Sequence, residues 1–272
     1  MKSASRNVVA RGLRQVDRAF WCLHDHLPEF AVLGLPTFAV SLVLAAGMAM
    51  ALRTWHFDPL ISYLLWAIVI PVVTLTIVTF FPLPCAVFAW FQANGEPKAP
   101  ADCFRWWRNR VGRLVAVQSW LTFSYVWWFV LFGLPMLFLW PRTCLAPMVA
   151  LFEDRPKIFR RAQQLMREDS AIHVLAGLFF LFAVVLGALI PLPRLLLFSK
   201  LLAAEWTRSV EESLWALELS CGVILACGLA VSWSVALALF YYDLRQHREG
   251  ERIARKIAAL QENCVSLARH ES

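Results

Sequence analysis

The feature that most constrains this chain is an apolar run of 39 residues, 114–152, in which Arg142 is the one charged side chain. A water-soluble domain cannot bury so long a run on every side, and about 18 apolar residues are enough to cross the hydrocarbon core of a bilayer. Further, mostly apolar runs occupy residues 30–52, 60–91, 171–198 and 214–242. The sequence therefore predicts an all-α, polytopic membrane protein.

The composition and the charge agree with a membrane protein. Hydrophobic residues make up 60% of the chain and charged residues 17%, against about 45–50% and about 25% in soluble domains. The formal net charge of +7 comes from basic residues that lie between the apolar runs. The positive-inside rule and contacts with anionic headgroups account for basic residues in these positions, so no nucleic-acid partner is expected.

The distribution of charge decides how many spans to expect. One helix over residues 114–152 would overshoot the hydrocarbon core, so we divide it at the turn signal Gly133-Leu134-Pro135. With this division 21 Lys and Arg residues lie on one side of the membrane and 5 on the other, whereas without it each side carries 13. The positive-inside rule favours the division and puts both termini in the cytoplasm. The prediction is six spans, at about residues 30–52, 60–91, 114–133, 135–152, 171–198 and 214–242.

Amphipathic segments flank the spans at both ends of the chain. Residues 1–28 carry an apolar stripe with arginines to either side of it, which is the pattern of a helix lying in the membrane interface. We therefore divide the chain into an N-terminal interfacial helix (1–28), a membrane domain (29–242) and a cytoplasmic amphipathic C-terminal helix (243–272). The stripe of the first helix comprises Val9, Leu13, Val16, Phe20 and Leu23.

Two more basic amphipathic helices are predicted over residues 102–113 and 154–169. Interleaved aromatic and basic residues also occur in proteins that bind single-stranded nucleic acid, but beside a membrane span the same mixture is the usual interfacial anchor. Asp154 is expected to cap the second of these helices. Their arginines are expected to contact anionic lipid headgroups, which predicts lipid contacts for Arg105, Arg108, Arg160, Arg161 and Arg167.

Small residues recur at every fourth position of the last span. Such a stripe lets another helix backbone approach closely, and close packing drives helix association in lipid. We expect this face to pack against another helix of the chain, against a membrane-protein partner or against a second copy, whereas Leu237 is taken to lie away from it. The helix-packing face comprises Gly222, Ala226, Ala230, Ser234 and Ala238.

Residue types that carry chemistry are scattered along the chain. The seven cysteines are odd in number and form no CxxC motif, which argues against a disulfide framework or a zinc site. Cys22, His24 and His26 invite a metal site, but residues two apart point to different faces of a helix, so a polar interfacial turn is favoured. HExxH, GxSxG and phosphate-binding-loop motifs are absent from the sequence. We predict no catalytic residue, no cofactor and no metal.

Two stretches carry a resemblance to a known family. The first is LAPMVALFEDRPKIFRRAQQLMRED, 145–169, in which a proline and an acidic residue precede a basic helix. Gln163-Gln164 stands where the family more often has arginine-serine. The second is ALALFYYDLRQHREG, 236–250, with the motif residues Tyr241, Tyr242, Asp243, Arg245, Glu249 and Gly250. Over about residues 60–252 the chain resembles bacterial inner-membrane proteins related to the membrane domain of glycerophosphoryl diester phosphodiesterases and to the YciC-type proteins.

The resemblance implies a six-helix module of the bacterial cytoplasmic membrane and implies little about activity, since the phosphodiesterase chemistry belongs to a separate barrel domain. Two hypotheses follow. The chain is either a non-enzymatic structural, assembly or accessory partner in a membrane complex, or a transporter for a lipid or apolar solute. Pro71 and the irregular segment 135–147 favour transport. Ion-coupled transport normally needs acids or histidine near the midplane, and their absence there favours the partner role.

Overall fold

The computed structural model describes residues 2–54, 80–132, 143–154, 156–166 and 220–247, together with positions 172, 173, 177, 178, 181, 185 and 250. The regular structure of this part of the chain is helical and contains no strand, which confirms the all-α class. Its helices are α1 (Lys2–Asp25), α2 (Leu27–Thr54), α3 (Leu83–Ala93), α4 (Pro100–Arg108), α5 (Val111–Phe132), α6 (Ala146–Phe152), α7 (Ile158–Met166) and α8 (Ser220–His247).

A turn interrupts the last part of the predicted span 60–91. A turn at Phe81 and Pro82 precedes α3, and Pro84 lies in the first turn of that helix. Proline is tolerated in a first turn because the N–H it lacks has no helical acceptor there, whereas in a helix interior it removes a hydrogen bond. The paired prolines therefore start a new helix.

The last helix is longer than predicted. α8 continues past Tyr242 to His247, so the predicted boundary between residues 242 and 243 falls inside one continuous helix. The physical reason is that residues 243–249 contain neither proline nor glycine, and the charged and polar residues among them are mostly good helix formers. Asp243 and Arg245 consequently project from the same rigid helix as the tyrosines.

α2 and α8 pack side by side and run in opposite directions. A Cβ atom added to Gly34 would lie 3.5 Å from Val231 Cγ2, and the Ser41 side chain lies beside Cys227. Going forward along α2 therefore means going backward along α8. This pairing buries Val231 partly and fixes how the two helices lie lengthwise against each other.

Two helices in the described part of the chain are long and apolar enough to cross a membrane. They are the window Leu27–Leu44 of α2, with mean hydropathy 1.8, and Ser220–His247, with mean hydropathy 2.3. Large apolar side chains of α2 are exposed on the protein surface, among them Leu35, Leu42 and Val43. Apolar side chains in such a row are typical of a surface that faces lipid.

The arrangement of six spans stays a prediction. Residues 55–79, 133–142 and 186–219 lie outside the described residues, and they include most of the predicted second span, the division at residues 133–135 and the loop before the last span. Pro71 and Arg142 belong to these segments. The same holds for residues 251–272 of the predicted C-terminal helix.

Several helix ends meet at one end of the bundle. Trp90 near the end of α3 contacts Phe152 at the end of α6 and Tyr241 of α8. Phe30 at the start of α2 packs edge-on against Phe88 of α3, with ring centroids 5.1 Å apart. We call this meeting point the junction and define it by the ends of α3, α6 and α8, the start of α2, and the segments that contact them.

Candidate functional site

An aromatic cluster forms the centre of the junction. The Trp90 indole stacks on the Phe152 ring, with centroids 4.4 Å apart and an interplanar angle of 22°. Tyr241 and Tyr242 contact the same indole at centroid distances of 5.4 and 5.3 Å. The Arg245 guanidinium carbon lies 5.6 Å from its ring centroid, within the range of a cation–π contact. Two distant stretches of sequence, the ends of α6 and α8, therefore converge on one buried tryptophan of α3.

Glu153 is a buried carboxylate beside this cluster. Its backbone is extended (φ −119°, ψ 132°) and ends α6, and only 7% of the residue is exposed. The Tyr241 hydroxyl donates to Glu153 Oε1 at 2.7 Å, and Arg161 Nε lies 3.2 and 3.3 Å from the two carboxylate oxygens. A buried carboxylate is tolerated only when it is paired and hydrogen-bonded. Both conditions are met here by residues of α7 and α8.

Asp154, the next residue, faces the opposite way. Its side chain is 84% exposed, and Oδ1 lies 3.7 Å from Arg110 Nη2 and 3.4 Å from Arg113 Nη1. The prediction that Asp154 caps a helix is wrong, because α7 begins only at Ile158. Extended backbone at Glu153 sends successive side chains to opposite sides. One acid is thereby buried and the other links the segment to the start of α5.

Asp243 ties α1 to the end of α8. Arg18 Nη1 donates to Asp243 Oδ1 at 2.8 Å, and the Gln15 side-chain amide donates to Oδ2. Gln15 is buried and the Arg18 side chain is half-exposed. The N-terminal helix is therefore docked on the junction by a charge-assisted pair of hydrogen bonds, which are stronger than neutral ones.

The basic and aromatic residues around α4 contact one another. The Trp106 indole N–H donates to the Leu151 carbonyl at 3.2 Å. Lys98 Nζ lies 5.2 Å and the Arg110 guanidinium carbon 4.0 Å from the Trp106 ring centroid. Lys98 also lies over Phe91 at 3.9 Å. Part of the aromatic and basic pattern that the sequence suggested for a lipid interface thus serves internal packing.

The predicted lipid-contacting arginines fall into two groups. Arg105, Arg108 and Arg160 are exposed, and Arg105 also lies 3.5 Å from Asp102 one turn earlier. Arg161 was assigned to the polar face of its helix, but its side chain is only 18% exposed and is paired with Glu153. The Glu153 carboxylate therefore holds Arg161 toward the protein interior, and a lipid contact of Arg161 stays a prediction. Arg167 lies outside the described residues.

The helix-packing face divides along its length. Ala230, Ser234 and Ala238 are buried inside the chain, Gly222 is half-buried, and Ala226 is exposed. The inner three positions therefore pack against the chain's own helices. Leu237, expected to lie away from this face, is itself only 4% exposed. Over its last turns α8 is covered on more than one side. Residues outside the small-residue stripe are therefore buried there as well.

Cys103 of α4 and Cys22 of α1 behave as small apolar side chains. Burial raises the pKa of the Cys103 thiol to about 11, and burial likewise raises the pKa of Cys22 to about 11. A thiol with so high a pKa is almost wholly protonated at neutral pH, and the protonated form is a poor nucleophile and metal ligand. Among the described residues, no group of three or more His, Cys, Asp or Glu is arranged to hold a metal.

The sequence missed three residues of the junction: Trp90, Gln15 and Glu153. Glu153 could have been noticed as an acid at the exact end of an apolar run, where burial is expected. Of the motif residues, Tyr241, Tyr242, Asp243 and Arg245 lie at the junction, Gly250 is exposed, and Glu249 lies outside the described residues. Comparison with family models, curated proteins and solved structures finds no match for this chain. The family resemblance of the two motif stretches stays a prediction.

Proposed function

We propose that this chain is a polytopic protein of a bacterial cytoplasmic membrane and acts there as a structural, assembly or accessory partner, not as an enzyme. In this proposal the chain crosses the membrane six times and keeps both termini in the cytoplasm. The junction forms the cytoplasmic end of the bundle, and α1, α4 and α7 lie at the membrane surface around it. Lipid headgroups and a second membrane component, or a second copy of the chain, are its partners.

The observation that carries the proposal is that charged side chains of the junction are paired with other segments of the chain. Glu153 and Asp243 each bridge segments that are far apart in the sequence, and Arg161 pairs with the Glu153 carboxylate. A carboxylate that already accepts bonds from a guanidinium and a phenol has its charge and its lone pairs engaged. Such side chains brace helices against each other, which is the role expected in a scaffold.

The directions of the helices support a shared cytoplasmic end. α2 and α5 start near the junction, and α3, α6 and α8 end there. Helices that alternate in this way, with basic residues gathered at their common end, fit a chain that returns to the same membrane face after each pair of spans. The transport hypothesis rests on Pro71 and on the irregular segment 135–147. Pro71 and residues 135–142 lie outside the described residues, and no described contact favours transport.

Cysteine labelling tests the topology. In a variant without the seven native cysteines, Cys is introduced at Ser209, predicted to be outside, or at Gln163, which is exposed on α7. A membrane-impermeant maleimide added to intact cells is expected to label position 209 and not position 163. Inverted membrane vesicles are expected to give the reverse result, which shows that position 163 is reactive. Labelling of position 163 from outside would exclude the proposed orientation.

The partner role is tested separately by purification in mild detergent. Cross-linking in membranes before extraction is expected to capture the chain with a second membrane protein or a second copy. The matched control is the same preparation without cross-linker. A chain that stays monomeric in both, and that moves a lipid between vesicles, would replace the partner role with the transport hypothesis.

A further inference from the structure

Several large apolar side chains on the outer face of α1 are exposed. Phe20 is 63% exposed, and Leu13 and Trp21 are about half exposed. The opposite face is covered, since Gln15 and Ala19 are buried against the protein. Leu13 and Phe20 are seven residues apart, which puts them within about 20° of each other around a helix. α1 therefore presents a defined apolar edge to its surroundings.

The residues of the predicted apolar stripe of this helix do not all have the same surroundings. Val16 and Leu23 pack partly against the core, whereas Leu13 and Phe20 point outward. The hydrogen bonds from Gln15 and Arg18 to Asp243 account for this rotation. They turn the side of α1 that carries Gln15 toward α8 and leave the adjacent part of the stripe uncovered.

The helix lengths require α1 to turn away from the axis of α2. Asp243 lies twelve residues beyond Val231 on α8, about 18 Å, while His26 lies eight residues before Gly34 on α2, about 12 Å. Since Val231 and Gly34 are adjacent, Asp243 extends only about 6 Å past the start of α2. Gln15 is about 16 Å back from His26 along α1 and still reaches Asp243. α1 thus runs obliquely across the end of the bundle.

The exposed apolar surface of α1 continues directly into that of α2. Leu27, the first residue of α2, is exposed, and Val32 and Leu35 follow it on the surface of a helix that is apolar and long enough to cross a membrane. A surface helix that joins a membrane span and shares its exposed apolar edge meets the boundary between headgroups and acyl chains. Tryptophan and other aromatic residues are the side chains favoured at this depth.

We propose that α1 inserts Leu13 and Phe20 into the lipid leaflet at the cytoplasmic end of the bundle, and that Asp243 sets this rotation of the helix. The lipid surface is the occupant of the exposed face, and Asp243 is a positioning residue that acts through Gln15 and Arg18. The inference rests on the proposed membrane location. It adds to that proposal the edge of α1 that enters the lipid and the contact with Asp243 that fixes the rotation of the helix.

The test uses the full-length protein in vesicles that contain a phospholipid brominated in its acyl chains. An environment-sensitive fluorophore is attached to Phe20→Cys or, as the matched control on the same helix, to Arg14→Cys, in the variant without native cysteines. Bromine quenches only at close range, so stronger quenching is expected at position 20 than at position 14. Equal quenching at the two positions overturns the inference.

The positioning role is tested with Asp243→Asn and, independently, with Arg18→Gln. Both are expected to abolish the difference in quenching between positions 20 and 14 while the chain remains in the membrane. A difference that persists in both variants overturns the role of Asp243. Quenching that falls as the protein is concentrated, with energy transfer between labelled copies, identifies a second copy as the occupant and also overturns the inference.

Failure of this inference is distinct from failure of the proposed function. Extraction of the wild-type chain from membranes by alkaline carbonate would contradict a spanning protein altogether. A chain that resists carbonate, and that keeps the labelling pattern of positions 209 and 163 but lacks quenching at position 20, retains the proposed topology. In that case only the insertion of α1 is excluded.

Discussion

The Glu153 carboxylate is buried between a guanidinium and a phenol, and each of its partners comes from a different helix. Loss of the Arg161 side chain is expected to destabilise the folded protein most, because a buried carboxylate without a counter-charge is strongly unfavourable. Asp154 offers a comparison within the same segment, since it also meets arginines but is largely solvent-exposed. Exposed pairs contribute little to stability. The two neighbouring acids therefore contribute differently to the stability of the fold, because Glu153 is buried and Asp154 is exposed.

Glu153→Gln is expected to destabilise the folded protein by about 3 kcal/mol, since it leaves the Arg161 charge buried without its partner. Tyr241→Phe removes one hydrogen bond to a charged group and is expected to cost about 1.5 kcal/mol. Thermal unfolding of the purified protein in detergent measures both. Asp154→Asn is the control and should leave the Tm nearly unchanged. A Tm loss for Asp154→Asn as large as that for Glu153→Gln would contradict the assignment.

At the scale of one element, α8 carries two kinds of contact along its length. Its first turns include the exposed Ala226 and the half-buried Gly222, whereas its last turns are enclosed by the core. The tyrosines and Asp243 in those last turns attach α3, the end of α6 and α1. The small residues of the inner half let the neighbouring helices come close enough for these side chains to meet.

Ala230→Leu is expected to lower the Tm, because inserting a larger side chain at a fully buried position typically costs about 1–3 kcal/mol. Ala226→Leu is the matched control one turn away on the same stripe, where the side chain is exposed. It should leave the Tm unchanged and instead weaken a cross-linked complex if a partner helix covers this part of the stripe. An unchanged Tm for Ala230→Leu would show that the inner stripe does not hold the fold.

Over the whole molecule, basic residues fall into an inner set and an outer set. Arg161 and Arg18 hold segments of the chain together, whereas Arg105, Arg108 and Arg160 are exposed. Arginines near an anionic leaflet attract it by about 1 kcal/mol each. In the proposed membrane location, the outer set is the part of the charge that remains for lipid headgroups.

Arg160→Gln and Arg161→Gln are expected to act differently although the residues are adjacent. Arg160→Gln should reduce the anionic phospholipid that stays bound during purification, by about fivefold in affinity, and leave the Tm unchanged. Arg161→Gln should lower the Tm and retain the lipid. Native mass spectrometry of the protein with phosphatidylglycerol, and with phosphatidylcholine as the neutral control, measures the first effect. Equal loss of both lipids would remove the electrostatic part of the proposal.

Local pattern in the sequence determined which segments are helical and apolar, because the length of an apolar run and the spacing of polar residues depend only on nearby residues. It also predicted which segments are basic, and the motif resemblance drew attention to Tyr241 and Asp243. The tertiary structure decided what these residues contact. Tyr241 and Glu153 are 88 positions apart and Gln15 and Asp243 are 228 apart. The same local pattern suits an arginine on a lipid surface and one paired with a buried acid, so only the meeting of distant segments separated Arg161 from Arg160 and turned Phe20 outward.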